Sequence, residues 1–452
     1  MDKVSYKVKL RIVKLLNVIW MTIPLIMWCL YNCPHIIDAA NVNNIIVLIV
    51  LLFVIFYIVY GKIYEGFLIS TLRISEMIYS QCIALIMANA FLYIALCLLA
   101  NQLITKSSLA IVIVCQFMIS IMWCTLAHIW YYKNFPPKKT AIIYDHEQNV
   151  NELINSYGLG KKFSVCSIVT TEKCIEGGFQ VLNGIETIFL CGVHSHERNK
   201  ILKYCVEQDI TAYVLPRIGD VIMGGAKKMH LFHLPFLRIG RYNPSIEYLL
   251  IKRILDVSIS VTALIVLSPL MVIVAIVIKV TDGGPVFYKQ KRLTKNGKKF
   301  YVLKFRSMRQ DAEKDGVARL STGDLDTRVT PIGRVIRKVR IDELPQLLNI
   351  LEGSMSLVGP RPERPEIAEQ YEKTLPEFSL RLQAKAGLTG YAQVYGKYNT
   401  TPYDKLQMDL MYISNPSICE DLRIIFATIK ILFMPESTEG VIESGVKGES
   451  EI

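Results

Sequence analysis

The chain is poor in the signatures that most often announce a cofactor or a covalent framework. Its 11 cysteines include no C-x-x-C pair and no regular ladder of spacings. Several (Cys29, Cys82, Cys97, Cys115 and Cys124) fall inside apolar runs. A disulfide framework or a structural zinc site is therefore not expected, and reduced thiols fit better. No G-x-G-x-x-G occurs anywhere; the isolated "GLG" at Gly158–Gly160 does not make a dinucleotide fingerprint. His194 and His196 could in principle hold a metal, but two histidines alone do not make a zinc site. The first apolar run lacks a small-residue cleavage site and is followed by more spans, which argues against a removable signal peptide.

What the chain has in excess is hydrophobicity and positive charge. Of 452 residues 52% are hydrophobic, and 51 Lys+Arg stand against 39 Asp+Glu, a formal net charge of +12; mean hydropathy is +0.34. The length implies two or three units. Apolar excess combined with cationic excess points to a membrane and an anionic partner.

Four apolar segments at Leu10–Trp28, Ile45–Tyr60, Ile78–Leu99 and Leu109–Tyr132 approach the ~20 residues needed to cross a bilayer. None carries a charge at mid-span, so an ion-coupled transport path is not supported. Lys3, Lys7, Lys9, Arg11 and Lys14 lead into the first segment, Lys62 and Arg73 join the second to the third, and Lys133, Lys138 and Lys139 follow the fourth. The other two connections hold only Lys106. By the positive-inside tendency the N-terminus and everything after Tyr132 face the cytoplasm.

Pro136-Pro137 marks a boundary. Beyond it, "AIIYD" (Ala141–Asp145), "FSVCSIV" (Phe163–Val169), "TIFLCG" (Thr187–Gly192) and "AYVLP" (Ala212–Pro216) alternate with helix-like stretches near Val150–Tyr157 and Glu197–Asp209. That rhythm predicts a parallel, Rossmann-like sheet. Without the glycine fingerprint, a spacer or regulatory role is the simplest reading.

Residues 251–280 hold a fifth apolar run, Val257–Ile278, interrupted by Ser268-Pro269. A proline there removes a helix hydrogen bond. An ordinary span would place Lys279, Lys289, Lys291, Arg292, Lys295, Lys298, Lys299, Lys304 and Arg306 outside the cell, against the positive-inside tendency. A re-entrant helix, dipping into one leaflet and returning to the cytoplasm, is expected instead.

Val286–Leu293 and Lys299–Phe305 read as two strands joined across Asn296-Gly297, a dipeptide suited to tight hairpins. Lys304 and Arg306 alternate with Phe305 at strand spacing. In "VGPRPERP", Arg361 sits between two prolines, its planar fork suited to bidentate phosphate binding. In "RIDELPQLLNIL", Asp342 is placed to N-cap a helix, with Glu343 at its first position and Pro345 in the first turn. Arg337, Lys338 and Arg340 just upstream would keep Asp342 ionised and attract phosphate. An ionised carboxylate can attack phosphorus and form an aspartyl phosphate, while Glu343, a hard oxygen ligand, can hold Mg²⁺ against a diphosphate. The same pair of acids would serve equally as a helix cap and charge balance.

Several stretches in order, "KRILDVSIS", Ser268-Pro269, "GGPVFYKQKR", "KFRSM", "IDELPQLLNILEGSMSLVGPRP", "GLTGYAQVYG" and "MDLMYI", give residues 251–433 a close resemblance to the bacterial sugar transferases. These are polyprenyl-phosphate hexose-1-phosphate transferases, and the whole chain looks like their large membrane form. The resemblance implies a membrane protein with four N-terminal transmembrane helices (1–135), a cytosolic Rossmann-like α/β domain (136–240), and an α+β catalytic domain (241–436) with a re-entrant helix at about 251–280. A disordered tail (437–452) would end the chain. It implies transfer of a sugar-1-phosphate from a UDP-sugar to undecaprenyl phosphate, with release of UMP, at the bacterial inner (cytoplasmic) membrane. This would be the first membrane step of exopolysaccharide, capsule or O-antigen synthesis.

In that family the aspartate of the pair is the nucleophile and the glutamate serves Mg²⁺, which maps onto Asp342 and Glu343. Lys304, Arg306, Arg337 and Arg361 map onto the expected phosphate-binding positions. Arg340 departs from the family's pattern, which has a small hydroxyl residue two before the aspartate. Membrane lipids, a homodimer and polysaccharide-assembly proteins are the remaining partners it implies. Nucleic acid is not among them, because the cations flank an apolar helix and no aromatic stacking platform accompanies them. The competing reading is a catalytically silent membrane scaffold for polysaccharide enzymes.

Overall fold

The computed structural model describes residues 3–36, 42–104, 108–145, 154, 159–309, 312, 326, 328–396 and 400–432. The chain divides into two compact units, Met1–Leu215 and Pro216–Ile452.

The first unit opens with four long helices, α1 (Lys3–Ile36), α2 (Val42–Ile63), α3 (Ile74–Ala100) and α4 (Ser108–Asn134). All are long and apolar enough to cross a membrane, and they contain the four segments expected from hydropathy. Each of α1 and α3 packs against both α2 and α4, closing a ring. Lipid supplies no hydrophobic drive between helices, so polar contacts and close packing must join them. Tyr57 Oη donates to Asn17 Oδ1 at 2.7 Å, Ser120 Oγ to Gln81 Oε1 at 2.9 Å, and Asn89 Nδ2 to Gln116 Oε1 at 2.8 Å. Gln116 Nε2 reaches the Met21 carbonyl at 3.0 Å. Every helix of the ring thus contributes to this buried amide and hydroxyl network.

The α/β part follows directly. Strands β1 (Lys138–Tyr144), β2 (Phe163–Thr170), β3 (Thr187–Cys191) and β4 (Thr211–Val214) form one sheet in the order β2-β1-β3-β4, all pairs parallel. Central β1 buries Thr140 to Ile143 consecutively, as a strand covered on both faces must. Helix α5 (Thr171–Glu176) follows β2, and α6 (Ser195–Glu207) covers the predicted Glu197–Asp209 stretch. Apart from Ile154, the helix expected at Val150–Tyr157 lies outside the described residues.

The second unit begins with α7 (Ile218–Gly224), a hairpin of β5 (Lys227–Leu231) and β6 (Leu234–Arg238), and the 37-residue helix α8 (Ile246–Asp282). Helix α8 runs continuously through Ser268-Pro269, where sequence predicts an interruption. The reason is local. Pro269 cannot donate to the Ile265 carbonyl four residues back, and the Ser268 hydroxyl donates to that same carbonyl at 2.8 Å.

Both halves of α8 are held by this unit. In the N-terminal half, Arg253 donates to the Ile350 and Leu351 carbonyls at 2.6 and 2.8 Å, satisfying the end of a helix. Asp256 accepts from Ser356 Oγ and the Leu357 N–H at 2.8 and 3.0 Å. In the C-terminal half, Val274 and Ile278 pack with Phe305 and Ile336. The remaining surface of α8, including Ile254, Ile265, Val266, Ile273 and Ile276, is exposed and apolar.

Strands β7 (Phe287–Leu293) and β8 (Lys299–Phe305) form the predicted antiparallel hairpin. Asn296 and Gly297 both take the left-handed conformation, with φ of 60° and 72°. The rest comprises α9 (Pro331–Lys338), α10 (Gln346–Glu352), β9 (Ser356–Val358), α11 (Pro365–Thr374), β10 (Gly387–Thr389), α12 (Tyr391–Val394), α13 (Pro402–Ser414) and α14 (Ile418–Leu432). Leu347, Ile350, Met355, Leu357, Phe378 and Leu410 form its core, which Val221 of α7 joins.

Candidate active site

The acids at the centre of the site are presented by a turn. Thr330 caps α9, its Oγ1 accepting from the Gly333 N–H at 3.0 Å, and Pro331 occupies the first helical position. Arg340, with φ of 54°, ends that run, and Ile341–Glu343 form one turn of 3₁₀ helix. Helix α10 starts only at Gln346. The expectation that Asp342 caps the helix is therefore corrected. The left-handed Arg340 starts a tight turn between two short helices, so both acids point out of the connection instead of closing a helix end. The Arg340 substitution in the family's pattern thus sits at the residue that reverses the chain.

Two distant segments deliver the cations. Lys304 of β8 places Nζ 2.8 Å from Glu343 Oε1, and Arg361 places Nη2 2.9 Å from the same oxygen. Strand β8 is fixed by Asn349 of α10, whose Oδ1 accepts from the Leu303 N–H at 2.9 Å while Nδ2 donates to the Tyr301 carbonyl at 3.0 Å. The backbone just before Lys304 is thereby fixed. The Arg361 side chain keeps 41% exposure, so its fork can meet an anion as well as Glu343. Arg306 follows the last residue of β8 and is buried. Ser268 and Pro269 sit in the middle of α8, and among the described residues no contact joins them to the acids.

The environment separates the acids. Asp342 is only 8% exposed. Its burial, reinforced by the neighbouring Glu343 charge, pushes its carboxyl up to about 6 against the opposing pull of Lys304, Arg337 and Arg361. Burial also penalises the Glu343 charge, but Arg361, Lys304 and Arg340 outweigh it and hold that carboxyl well below the usual range. Glu343 is a fixed anion. Asp342 is an acid whose charge can be used.

Sequence reasoning missed the support beneath Arg361. Arg381 Nη2 donates to the Arg361 carbonyl at 2.9 Å and lies 2.6 Å from Asp409 Oδ2, both side chains being almost fully buried. Arg292 Nη1 donates to the next carbonyl, that of Pro362, at 3.0 Å. A detectable signal was the lone Asp409 inside the apolar helical stretch "MDLMYI", because a buried carboxylate needs a partner.

The model of the family described as "Bacterial sugar transferase" matches residues 247–435. Over 239 residues the chain is 38% identical to the UDP-N-acetylgalactosamine-undecaprenyl-phosphate N-acetylgalactosaminephosphotransferase of Aeromonas hydrophila, a match covering 52% of this chain and 55% of that protein. It is 43% identical over 190 residues to the exopolysaccharide production protein PSS of Rhizobium leguminosarum bv. phaseoli, covering 40% of this chain and 94% of that one. It is 35% identical over 212 residues to the UDP-glucose:undecaprenyl-phosphate glucose-1-phosphate transferase of Escherichia coli K12, covering 46% and 44%. The match thus spans about half of the Aeromonas and Escherichia proteins and nearly all of the Rhizobium one. Helix α8, the acid turn, Lys304, Arg361 and the Arg381–Asp409 pair all lie within the matched residues, and the chain belongs to the bacterial sugar transferase family.

Proposed function

We propose that the protein transfers a sugar-1-phosphate from a UDP-sugar to undecaprenyl phosphate through a covalent intermediate on Asp342. The observation that carries this reading is the pairing of a buried carboxyl poised at about 6 with an adjacent carboxylate pinned through one oxygen by Lys304 and Arg361. A carboxylate flanked by cations in a water-poor site is a nucleophile beside a phosphate cradle.

In the first step an Asp342 oxygen attacks the phosphorus that bears the sugar. The P–O–P bridge breaks and its oxygen leaves with UMP. In the second, an oxygen of the lipid phosphate attacks the same phosphorus and releases Asp342, giving a lipid-linked diphosphate sugar. Arg361 and Lys304 stabilise the charge that builds on the phosphate oxygens. Among the described residues no group of three or more His, Cys, Asp and Glu could cage a metal. Glu343, a hard oxygen ligand, is the residue that would hold Mg²⁺. Lys304 and Arg361 both meet Glu343 Oε1, and an ion held by this carboxylate would when bound neutralise diphosphate charge.

A re-entrant α8 at the cytoplasmic face of the inner membrane suits this chemistry. Arg253 and Asp256 on one half, and Val274 and Ile278 on the other, are all held by the same unit. That arrangement supports one-sided insertion, with a lipid phosphate kept near Asp342. Named relatives act on glucose and on N-acetylgalactosamine, so the donor sought is a UDP-hexose of that kind.

The test is UMP release by the full-length protein with a panel of UDP-sugars, Mg²⁺ and undecaprenyl phosphate. One donor should give UMP and a lipid-linked product, and omitting the acceptor should leave a phosphosugar on the wild-type protein but not on Asp342→Asn. A variant that releases UMP at the wild-type rate would refute the nucleophile, and silence of both proteins across the panel would favour a scaffold.

A further inference from the structure

A cavity of about 1400 Å³ opens in the second unit between the β5–β6 hairpin, the start of α8 and the end of α13, and shares no residue with the acid turn. Its charged lining residues are Lys227, Arg238 and Arg241, and no carboxylate lines it. From Val221 to Ile246 the sequence contains no acid at all. Lys295 adds a fourth cation beside it, 5.8 Å over the Tyr242 ring. The site is also built: Arg241 donates to Asn296 Oδ1 at 3.0 Å, and the Tyr242 N–H to Gln383 Oε1 at 2.9 Å, fixing the segment that carries the cations. The rest of the lining mixes apolar side chains, such as Ile222, Leu380 and Leu410, with polar ones such as Asn243, Gln383 and Asn415.

Size, charge and position restrict the ligand. The volume exceeds that of an ordinary small-molecule pocket, roughly 300–1,000 Å³, and a lining with three cations and, among the described residues, no carboxylate suits a phosphate. Ser245 lines the cavity and caps α8 through the Tyr248 N–H at 3.2 Å. Immediately beyond it Ile246, Leu249, Leu250 and Ile254 expose apolar side chains. A phosphate held in the cavity therefore has a hydrophobic helix face beside it, along which acyl chains can lie. The geometry points to a second lipid site, for the headgroup of an anionic phospholipid, distinct from the place of transfer. It rests on the membrane reading of α8 and is independent of the transfer chemistry. Bound there, the lipid would anchor the start of α8 at the bilayer surface.

The probe is phosphatidylglycerol, scored by native mass spectrometry of the full-length protein released from nanodiscs containing phosphatidylglycerol and phosphatidylcholine. Wild type should retain phosphatidylglycerol in preference to phosphatidylcholine. The triple variant Lys227→Gln, Arg238→Gln, Arg241→Gln should lose affinity on the order of a hundredfold, three cations at about fivefold each. Lys289→Gln, Lys291→Gln, Lys299→Gln removes the same charge elsewhere and should retain the lipid, as should Asp342→Asn. Ser379→Trp, which puts a bulky ring into the cavity without changing charge, should weaken retention of the lipid, and decides the matter if the triple variant fails to fold. Equal loss in the two triple variants would reduce the effect to net charge and overturn the site. So would displacement of all retained phosphatidylglycerol by inorganic phosphate without any preference over phosphatidylcholine, which would mark a soluble-anion pocket.

Discussion

In α1–α4 the buried polar residues, among them Asn17, Gln81, Asn89, Gln116 and Ser120, are uncharged, whereas the second unit buries Asp256, Asp342, Arg381, Asp409 and Asp421. Both regions join separate elements through polar side chains, yet they differ in what failure costs. An amide in a membrane bundle that loses one partner can find another, and such contacts average well below 2 kcal/mol. A buried ion that loses its partner is left uncompensated, at a cost of several kcal/mol. The second unit accepts that exposure to damage because a phosphate site needs charge, and charge in a water-poor interior must be fixed by more charge.

Breaking that contrast should give a graded series. Asp342→Asn removes the proposed nucleophile and should lower transfer on the order of 10⁴-fold or more, with the helices of the bundle unaffected by circular dichroism. Asp409→Asn removes the nearer of the two carboxylates that meet buried Arg381, leaving Glu363 at 3.6 Å. We expect the second unit to lose about 3–5 kcal/mol in denaturant melts, and a paired Arg381→Met, Asp409→Leu variant to recover much of it while transfer stays impaired through the released Arg361 loop. Arg361→Lys keeps the charge but not the fork, and should cost roughly 10²-fold in kcat.

The acid turn also predicts a pH profile. Because burial raises the Asp342 carboxyl to about 6 while Glu343 stays ionised far below that, transfer by the free protein should be full above about 6. It should fall about tenfold per unit beneath it, as Asp342 takes up a proton. A kcat/KM profile that stays flat down to the ordinary carboxylate range would contradict this. The smallest effect belongs to the bundle: Tyr57→Phe, which deletes the 2.7 Å bond to Asn17, should cost about 0.6 kcal/mol in a membrane-folding assay. A loss as large as that of Asp409→Asn would erase the distinction between the two regions.

Much of the architecture was legible because it is written in local windows. Apolar length set the four spans, alternation of short β-rich and helical runs set the parallel sheet, and Asn296-Gly297 set the hairpin. Asp342, Glu343, Lys304 and Arg361 could be picked out as types of residue in telling company. The cap assigned to Asp342 was misread, since a left-handed Arg340 is not foreseeable from a side chain that seldom adopts it. The continuity of α8 at Ser268-Pro269 was likewise hidden, because it depends on one hydroxyl reaching the carbonyl that the proline leaves unbonded.

Sequence by itself determined which segments are long and apolar enough to cross a membrane, which become strands and which residues carry charge, since those choices depend on hydrophobic length and near-neighbour preference. Only the tertiary structure decided that Lys304 and Arg361, 39 and 18 residues from Glu343, meet on one of its oxygens. It also decided that Arg381 and Asp409 clamp the loop beneath Arg361, and that Asp342 is buried enough to hold its proton to about 6. Those facts arise from desolvation and Coulomb interaction at a few ångströms, and such distances are set by the packing of the whole unit.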